Sequence, residues 1–291
     1  MPWQKFFLST MVLKFLVYPK EVFAMRVRMF LPRDCLLLLA TIGCLFAWPQ
    51  VAAVSSEVVV VPQSANTAPR QYLCYRARKP LSINGKIDER TWKRAAWTTD
   101  FVDIEGDLKP RPKFRTRVKM LWDDQYLYVA AELEEPDVKA KLTEHDSVIF
   151  HDNDFEVFLK PIASDTGYFE FEMNALNTGW DLFLNKPYRM GGKADNSWEM
   201  QGYKSAVRVR GTLNKDTDKD KGWTLEVAFP WSAFRSRMAV PVPGVGSEWR
   251  VNFSRVEWTT GQKREDNWVW SPQGVMNMHV PERWGFLRFA E

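Results

Sequence analysis

From Gln71 to the end of the chain, apolar and polar residues alternate in short runs bounded by turn residues, and no long helical periodicity takes over. "FRTRVKMLW" (Phe114 to Trp122) turns through "DDQ" into "YLYVAAELE" (Tyr126 to Glu134), which reads as a hairpin. Further strands are expected in "DFEVFLK" from Asp154, "YFEFEMNA" from Tyr168, "GWDLFLN" from Gly179 and "SAVRVRG" from Ser205. The series continues with "GWTLEVAFP" from Gly222, "WRVNFSRVEW" from Trp249, "NWVWS" from Asn267 and "WGFLRF" from Trp284. Only "DERTWKRA" (Asp88 to Ala95), with Asp88 as cap and room for about two turns, and "PWSAFRS" (Pro230 to Ser236), with proline at its start, read as helical. About ten strands without interleaved long helices predict an all-β chain, an antiparallel β-sandwich with one or two short helices. No internal repeat and no second domain are seen.

The first fifth reads differently. Arg26, Arg28 and Arg33 precede the apolar run Cys35 to Trp48, and Val51 and Ala53 stand at the −3 and −1 positions of a signal-peptidase site. This predicts a secretory signal peptide cleaved after Ala53. The run is shorter than the roughly 20 residues a membrane-crossing helix needs, and Met25 is an alternative start, so residues before it read as an over-extension. Cys44 resembles a lipoprotein site only faintly. Residues 54–78 are expected to form a linker and 79–291 the domain.

Cleavage would remove six of 40 basic and two of 36 acidic residues, leaving 34 of each and no charge footprint for nucleic acid. Cys35 and Cys44 would leave too, so Cys74 stands alone, without a disulfide partner or a cysteine metal site. The expected location is secreted or periplasmic, with no membrane contact after cleavage.

Twelve tryptophans follow residue 53. Trp92, Trp223 and Trp284 sit in apolar periodicity and read as core. Trp180, Trp198, Trp258, Trp268 and Trp270 lie among polar residues, where an indole can either pack or stack on the C–H face of a sugar. In "NWVWSP", Trp268 and Trp270 share a strand face; Trp268 is expected in the core and Trp270 is kept as a candidate contact. "NKDTDKDKGW" has acids at Asp216, Asp218 and Asp220 but lacks the EF-hand glycine and glutamate, so it reads as a solvated hairpin tip. "HDND" (His151 to Asp154) offers Asp152 and Asp154 as calcium ligands or as turn residues. Serine-nucleophile, phosphate-loop and HExxH motifs are missing from the sequence.

The ordered series "INGKIDERTW" (Ile83 to Trp92), "VKMLWDDQYLYVAAEL" (Val118 to Leu133), "HDNDFEVFLKP" (His151 to Pro161), "YFEFEMNALN" (Tyr168 to Asn177), "GWTLEVAFPW" (Gly222 to Trp231) and "PERWGFLRF" (Pro281 to Phe289) resembles the family 9 carbohydrate-binding modules. It is most similar to the family-9-like domains of secreted bacterial proteins. The resemblance implies a jelly-roll-like sandwich of the DOMON-like group and noncatalytic binding of plant-type polysaccharide or oligosaccharide, such as glucans or xylans. It also implies that two tryptophans clamp a sugar, and that structural calcium is an option although no cofactor is required. The clamp positions here are His151 and Met278, neither of them tryptophan. Glu156 and Asn174 match polar site positions, and Glu172 stands where a cation is expected. With Asn277, Trp180, Trp258 and Trp270 these form the candidate ligand set.

Two other functions stay open. Met276, Met278 and His279 could ligate haem, as in other DOMON-like sandwiches. Glu156, Glu170, Glu172, Asp181 and Glu257 could include the carboxylate pair of a glycoside hydrolase.

Overall fold

The computed structural model describes residues 68–291; the predicted signal peptide and the first part of the linker fall outside this range. The strands are β1 (Gln71–Arg76), β2 (Val102–Asp103), β3 (Thr116–Trp122), β4 (Tyr126–Leu133), β5 (Asp154–Lys160), β6 (Tyr168–Asn174), β7 (Gly179–Leu184), β8 (Ala194–Asp195), β9 (Lys204–Val209) and β10 (Trp223–Pro230). After the short helix α1 (Trp231–Arg235) come β11 (Glu248–Glu257), β12 (Asp266–Val269) and β13 (Gly285–Ala290). Among the described residues no helix is long and apolar enough to cross a membrane.

All thirteen strands belong to one hydrogen-bonded sheet, ordered β8-β7-β6-β5-β11-β13-β1-β3-β4-β10-β9, with β12 and β2 branching from β11. The sheet curls so that its two halves face each other as a sandwich. Phe171 of β6 meets Phe229 of β10 at 5.2 Å between ring centres, and Phe169 of β6 meets Phe234 of α1 at 5.1 Å. Alternation supplies this core: Phe155, Val157 and Leu159 of β5 point inward beside Phe169, Phe171 and Met173 of β6. Most ladders are antiparallel, as expected, but β1 runs parallel to both β13 and β3. It also falls inside the stretch read as a linker, so the sheet begins earlier than the predicted domain boundary.

The N-terminal motif is held by tertiary contacts. Buried Glu226 of β10 accepts hydrogen bonds from Asn84 N (2.8 Å), Gly85 N (2.8 Å) and Trp92 Nε1 (2.6 Å). Gly85 has φ +78°, and a Cβ there would stand 2.9 Å from the Val207 carbonyl carbon. The predicted two-turn α-helix is a five-residue 3-10 helix, Arg90–Arg94, with no side-chain cap from its N-cap residue Glu89. Trp92, pinned to Glu226, fixes the segment in place of helical propagation.

Arg255 is 1% exposed and forms ion pairs with Glu135 (2.6 Å) and Glu257 (2.7 Å), while its guanidinium lies 5.0 Å from the Trp268 ring. Trp268 is thus a core residue, as expected, and its polar neighbourhood in the sequence reflects this buried ion cluster.

Candidate functional site

The alternation that turns Val157 and Phe171 inward turns Glu156, Phe158, Glu170 and Glu172 outward. Antiparallel register sets them in rows: Ser254, Glu156, Glu172 and Trp180 across β11, β5, β6 and β7, then Asn252, Phe158, Glu170 and Leu182. This outer face is the floor of a cleft of about 420 Å³. Its walls are Phe150, Tyr188 and the segment Met276 to His279, with Glu265 and Asn267 at one side.

The walls are braced. Trp284 is fully buried, packs 5.4 Å from Phe158 and donates from Nε1 to the Met278 carbonyl at 2.9 Å. Arg189 donates to both Glu282 carboxylate oxygens (2.6 and 2.8 Å) and to the His279 carbonyl (2.7 Å), tying the Tyr188 turn to the opposite segment. Phe150 lies 6.2 Å from Trp180 with their planes 37° apart, and Tyr188 meets the His279 ring edge-on at 4.6 Å. Phe150 and Tyr188 are exposed.

The floor is acidic, and its carboxyls are buried. Burial pushes the Glu156 carboxyl up to about 7, and burial followed by repulsion from Glu156 holds Asp154, Glu170 and Glu172 well above the usual carboxylate range. Glu172 Oε2 accepts from Phe150 N at 3.1 Å, but Asp154 Oδ2, Glu156 Oε2 and Glu170 Oε2 have no hydrogen-bond partner among the described residues. Burial keeps His279 neutral, with its pKa lowered to about 4.

Five predicted ligand residues line this cleft: Glu156, Glu172, Trp180, Asn277 and Met278. Four do not. His151 is exposed outside it; its ring meets Phe150 at 4.9 Å, and Phe150 is the residue that reaches the cleft. Neighbours in a 3-10 turn point about 120° apart, so the turn Ile149–His151 shifts the wall by one residue.

Asn174 is fully buried. Its amide donates to the Leu142 carbonyl and to Asp152 Oδ2, and its oxygen accepts from Leu176 N and Thr178 N. Trp258 donates from Nε1 to the Phe150 carbonyl at 2.8 Å and so supports the wall without lining it. Trp270, 1% exposed, is core: it packs 6.0 Å from Phe253 and over Gly285.

The predicted calcium pair also separates. Asp152 Oδ2 accepts from Lys141 N, Leu142 N and Asn174, closing a loop onto the sheet. Asp154 instead joins Glu156 and Glu172, with carboxylate oxygens within 4.8 Å of one another. These three buried acids, rather than Asp152 with Asp154, are the set here that suits an oxygen-seeking cation.

Sequence reasoning passed over Phe150 and Tyr188, which sit in turns without periodic signal. Glu170 was noticed only as one acid among many, although its two-residue spacing from Glu172 places both on one face. His279, considered for haem, holds Tyr168 Oη at 2.9 Å through Nδ1 and is flanked by Phe158 and Tyr188.

Residues 83–291 match the family described as carbohydrate family 9 binding domain-like. The chain belongs to this family. Endo-1,4-beta-xylanase C of Paenibacillus barcinonensis is 27% identical over 195 residues, which are 66% of this chain and 15% of that enzyme. Exoglucanase XynX of Acetivibrio thermocellus is 27% identical over 154 residues, 52% of this chain and 12% of that enzyme. The chain therefore spans only a small part of either relative's length. A candidate carbohydrate-binding protein from Bacteroides uniformis superposes with a TM-score of 0.59 at 18% identity, covering 76% of this chain and all of that one, and so shares the fold. A family 9 module from Caldicellulosiruptor kristjanssonii, solved with cellotriose, superposes with a TM-score of 0.48 at 16% identity over 75% of this chain and 93% of that module. Within this family 9 domain the cleft over Glu156 and Glu172 is the candidate saccharide site.

Proposed function

We propose that the cleft binds a neutral plant-type polysaccharide or oligosaccharide, a β-1,4-linked glucan or xylan, without cleaving it. One observation carries the reading: buried carboxyl oxygens without hydrogen-bond partners and half-buried Trp180 floor a cleft whose walls include exposed Phe150 and Tyr188. Sugar hydroxyls supply the missing donors, and aromatic faces take the sugar's C–H surface. The same floor disfavours uronic acids, because burial that already holds Glu156, Glu170 and Glu172 toward the neutral form opposes another carboxylate in the same way. The relatives named for xylanase and exoglucanase activity agree with this substrate class. Export through the predicted signal peptide would bring the domain to such a substrate.

Hydrolysis is less well served. Glu156 and Glu172 are both held toward the neutral form, whereas a nucleophile must be ionised.

The test is calorimetry and affinity electrophoresis of residues 68–291 against cello- and xylo-oligosaccharides, the parent polysaccharides and a polyuronate. Binding to a neutral glycan, with at least a tenfold loss in Trp180→Ala, supports the proposal. Retention on none of the neutral glycans, or preference for the polyuronate, overturns it.

A further inference from the structure

A second polar cluster lies on the opposite face of β7 from the cleft. The alternation that sends Trp180 and Leu182 outward turns Asp181 inward, in register with core residue Phe171. Asp181 is fully buried; its Oδ2 accepts from Met200 N, but its Oδ1 has no hydrogen-bond donor. A buried carboxylate oxygen left bare is costly, so its surroundings should contain something electron-poor.

What it faces is an imidazole with the wrong side turned toward it. His145 Nδ1 lies 2.9 Å from the Gly179 carbonyl, which can only accept, so Nδ1 carries a hydrogen. In the neutral tautomer Nε2 then holds a lone pair. That lone pair points among three carboxylate oxygens: Glu199 Oε2 at 3.1 Å, Asp146 Oδ1 at 3.4 Å and Asp181 Oδ1 at 3.6 Å. Four acceptors converge with no donor between them.

A proton on Nε2 answers one of the three oxygens. It would hydrogen-bond to Glu199, leaving Asp146 Oδ1 and Asp181 Oδ1, both without partners, still bare. A divalent cation between His145, Asp181 and Glu199 would answer both of these carboxylates at once. The spacing agrees for these three: for metal bonds of 2.0 to 2.1 Å, the ligand-to-ligand edge of a tetrahedron is about 3.3 Å, Nε2 stands 3.1 Å from Glu199 and 3.6 Å from Asp181, and the ligand atoms of all three lie within 4.8 Å of one another. The bond from Nδ1 to a backbone carbonyl is the outer-shell arrangement that orients a metal-binding histidine. His145 and Glu199 are partly exposed, which leaves a path for an ion.

We propose that His145, Asp181 and Glu199 bind a first-row divalent cation of the zinc class, with Asp146 beside the imidazole as a further negative charge. One imidazole with carboxylates suits such an ion better than calcium or magnesium, which prefer all-oxygen surroundings. The site joins the loop before β5, the start of β7 and the loop after β8. It thereby clamps the residues on either side of Trp180, and it stands independently of what the cleft binds.

The experiment uses residues 68–291 stripped with a chelator and titrated with Zn2+ by calorimetry and with Co2+ by visible absorption. One equivalent of zinc, an intense tetrahedral Co2+ spectrum and a higher Tm with metal are expected. His145→Ala, whose fold circular dichroism can verify because the side chain is partly exposed, should weaken zinc binding at least tenfold, and Glu199→Gln should weaken it as well. The proposal is overturned if the wild-type protein takes up no more zinc or cobalt than His145→Ala does. It is equally overturned if the His145 ring resonances titrate with a raised pKa that saturating zinc leaves unchanged.

Discussion

Gly285 shows how one residue decides what its neighbour can be. An added Cβ would collide with the six-membered ring of Trp270 and come within 2.9 Å of the Arg70 carbonyl oxygen, so the tryptophan fits only over a glycine. Gly285→Ala is therefore expected to destabilise the domain by about 2 to 4 kcal/mol, read from the midpoint of urea unfolding. Glycan affinity should survive wherever the variant is still folded, because Trp270 is not in the cleft. That outcome would also separate Trp270 from Trp180, two indoles whose sequence surroundings look alike. Polarity along the chain could not distinguish them: Trp268 has polar neighbours because it covers buried Arg255, whereas Trp180 has them because it borders an acidic cleft floor. His151 and Phe150 differ by one position in a 3-10 turn, a phase that no periodicity in the sequence encodes.

At the scale of the strand, β5 and β6 were legible almost to the residue because their alternation is strict. The acids they carry make a prediction about pH. In the unfolded chain Glu156 ionises near 4.5, whereas in the fold burial moves it to about 7. A folded pKa above the unfolded one gives stability that is complete below about 4.5 and is lost as pH rises through about 7, on the order of 3 kcal/mol for a shift of this size. Asp154, Glu170 and Glu172 shift in the same direction. Thermal melts should show Tm falling between pH 5 and 8, and Glu156→Gln should flatten that fall. A Tm that rises across this interval would contradict the protonated floor. The loops that close the cleft were not legible: Tyr188 and the segment Met276 to His279 are placed by Arg189, Glu282 and Trp284, contacts that link residues far apart in sequence.

For the whole molecule, the family motifs give the sandwich but not its seam. β1 lies between β13 and β3 and joins the two halves of the sheet, with Gln71 to Tyr75 paired along Phe286 to Ala290. Its short sequence, QYLCYR, looks like any edge strand, and only the closing contacts reveal its central position. A chain beginning at Ala77 should lose cooperative thermal unfolding, measured by circular dichroism, because β13 and β3 would each keep an unpaired edge in the middle of the sheet. A sharp melt near the parent Tm would show that the halves hold without the seam.

The parallel pairing of β1 with β13 also sets where the chain enters and leaves. Tyr75 stands opposite Ala290, so Gln71 lies four residues back along the same direction, about 13 Å away at roughly 3.3 Å per residue. Cargo fused before Gln71 and cargo fused after Ala290 would thus emerge from opposite ends of the seam. The domain is built to be threaded in line like a bead, and a circularly permuted version would need a linker long enough to run back along a whole strand.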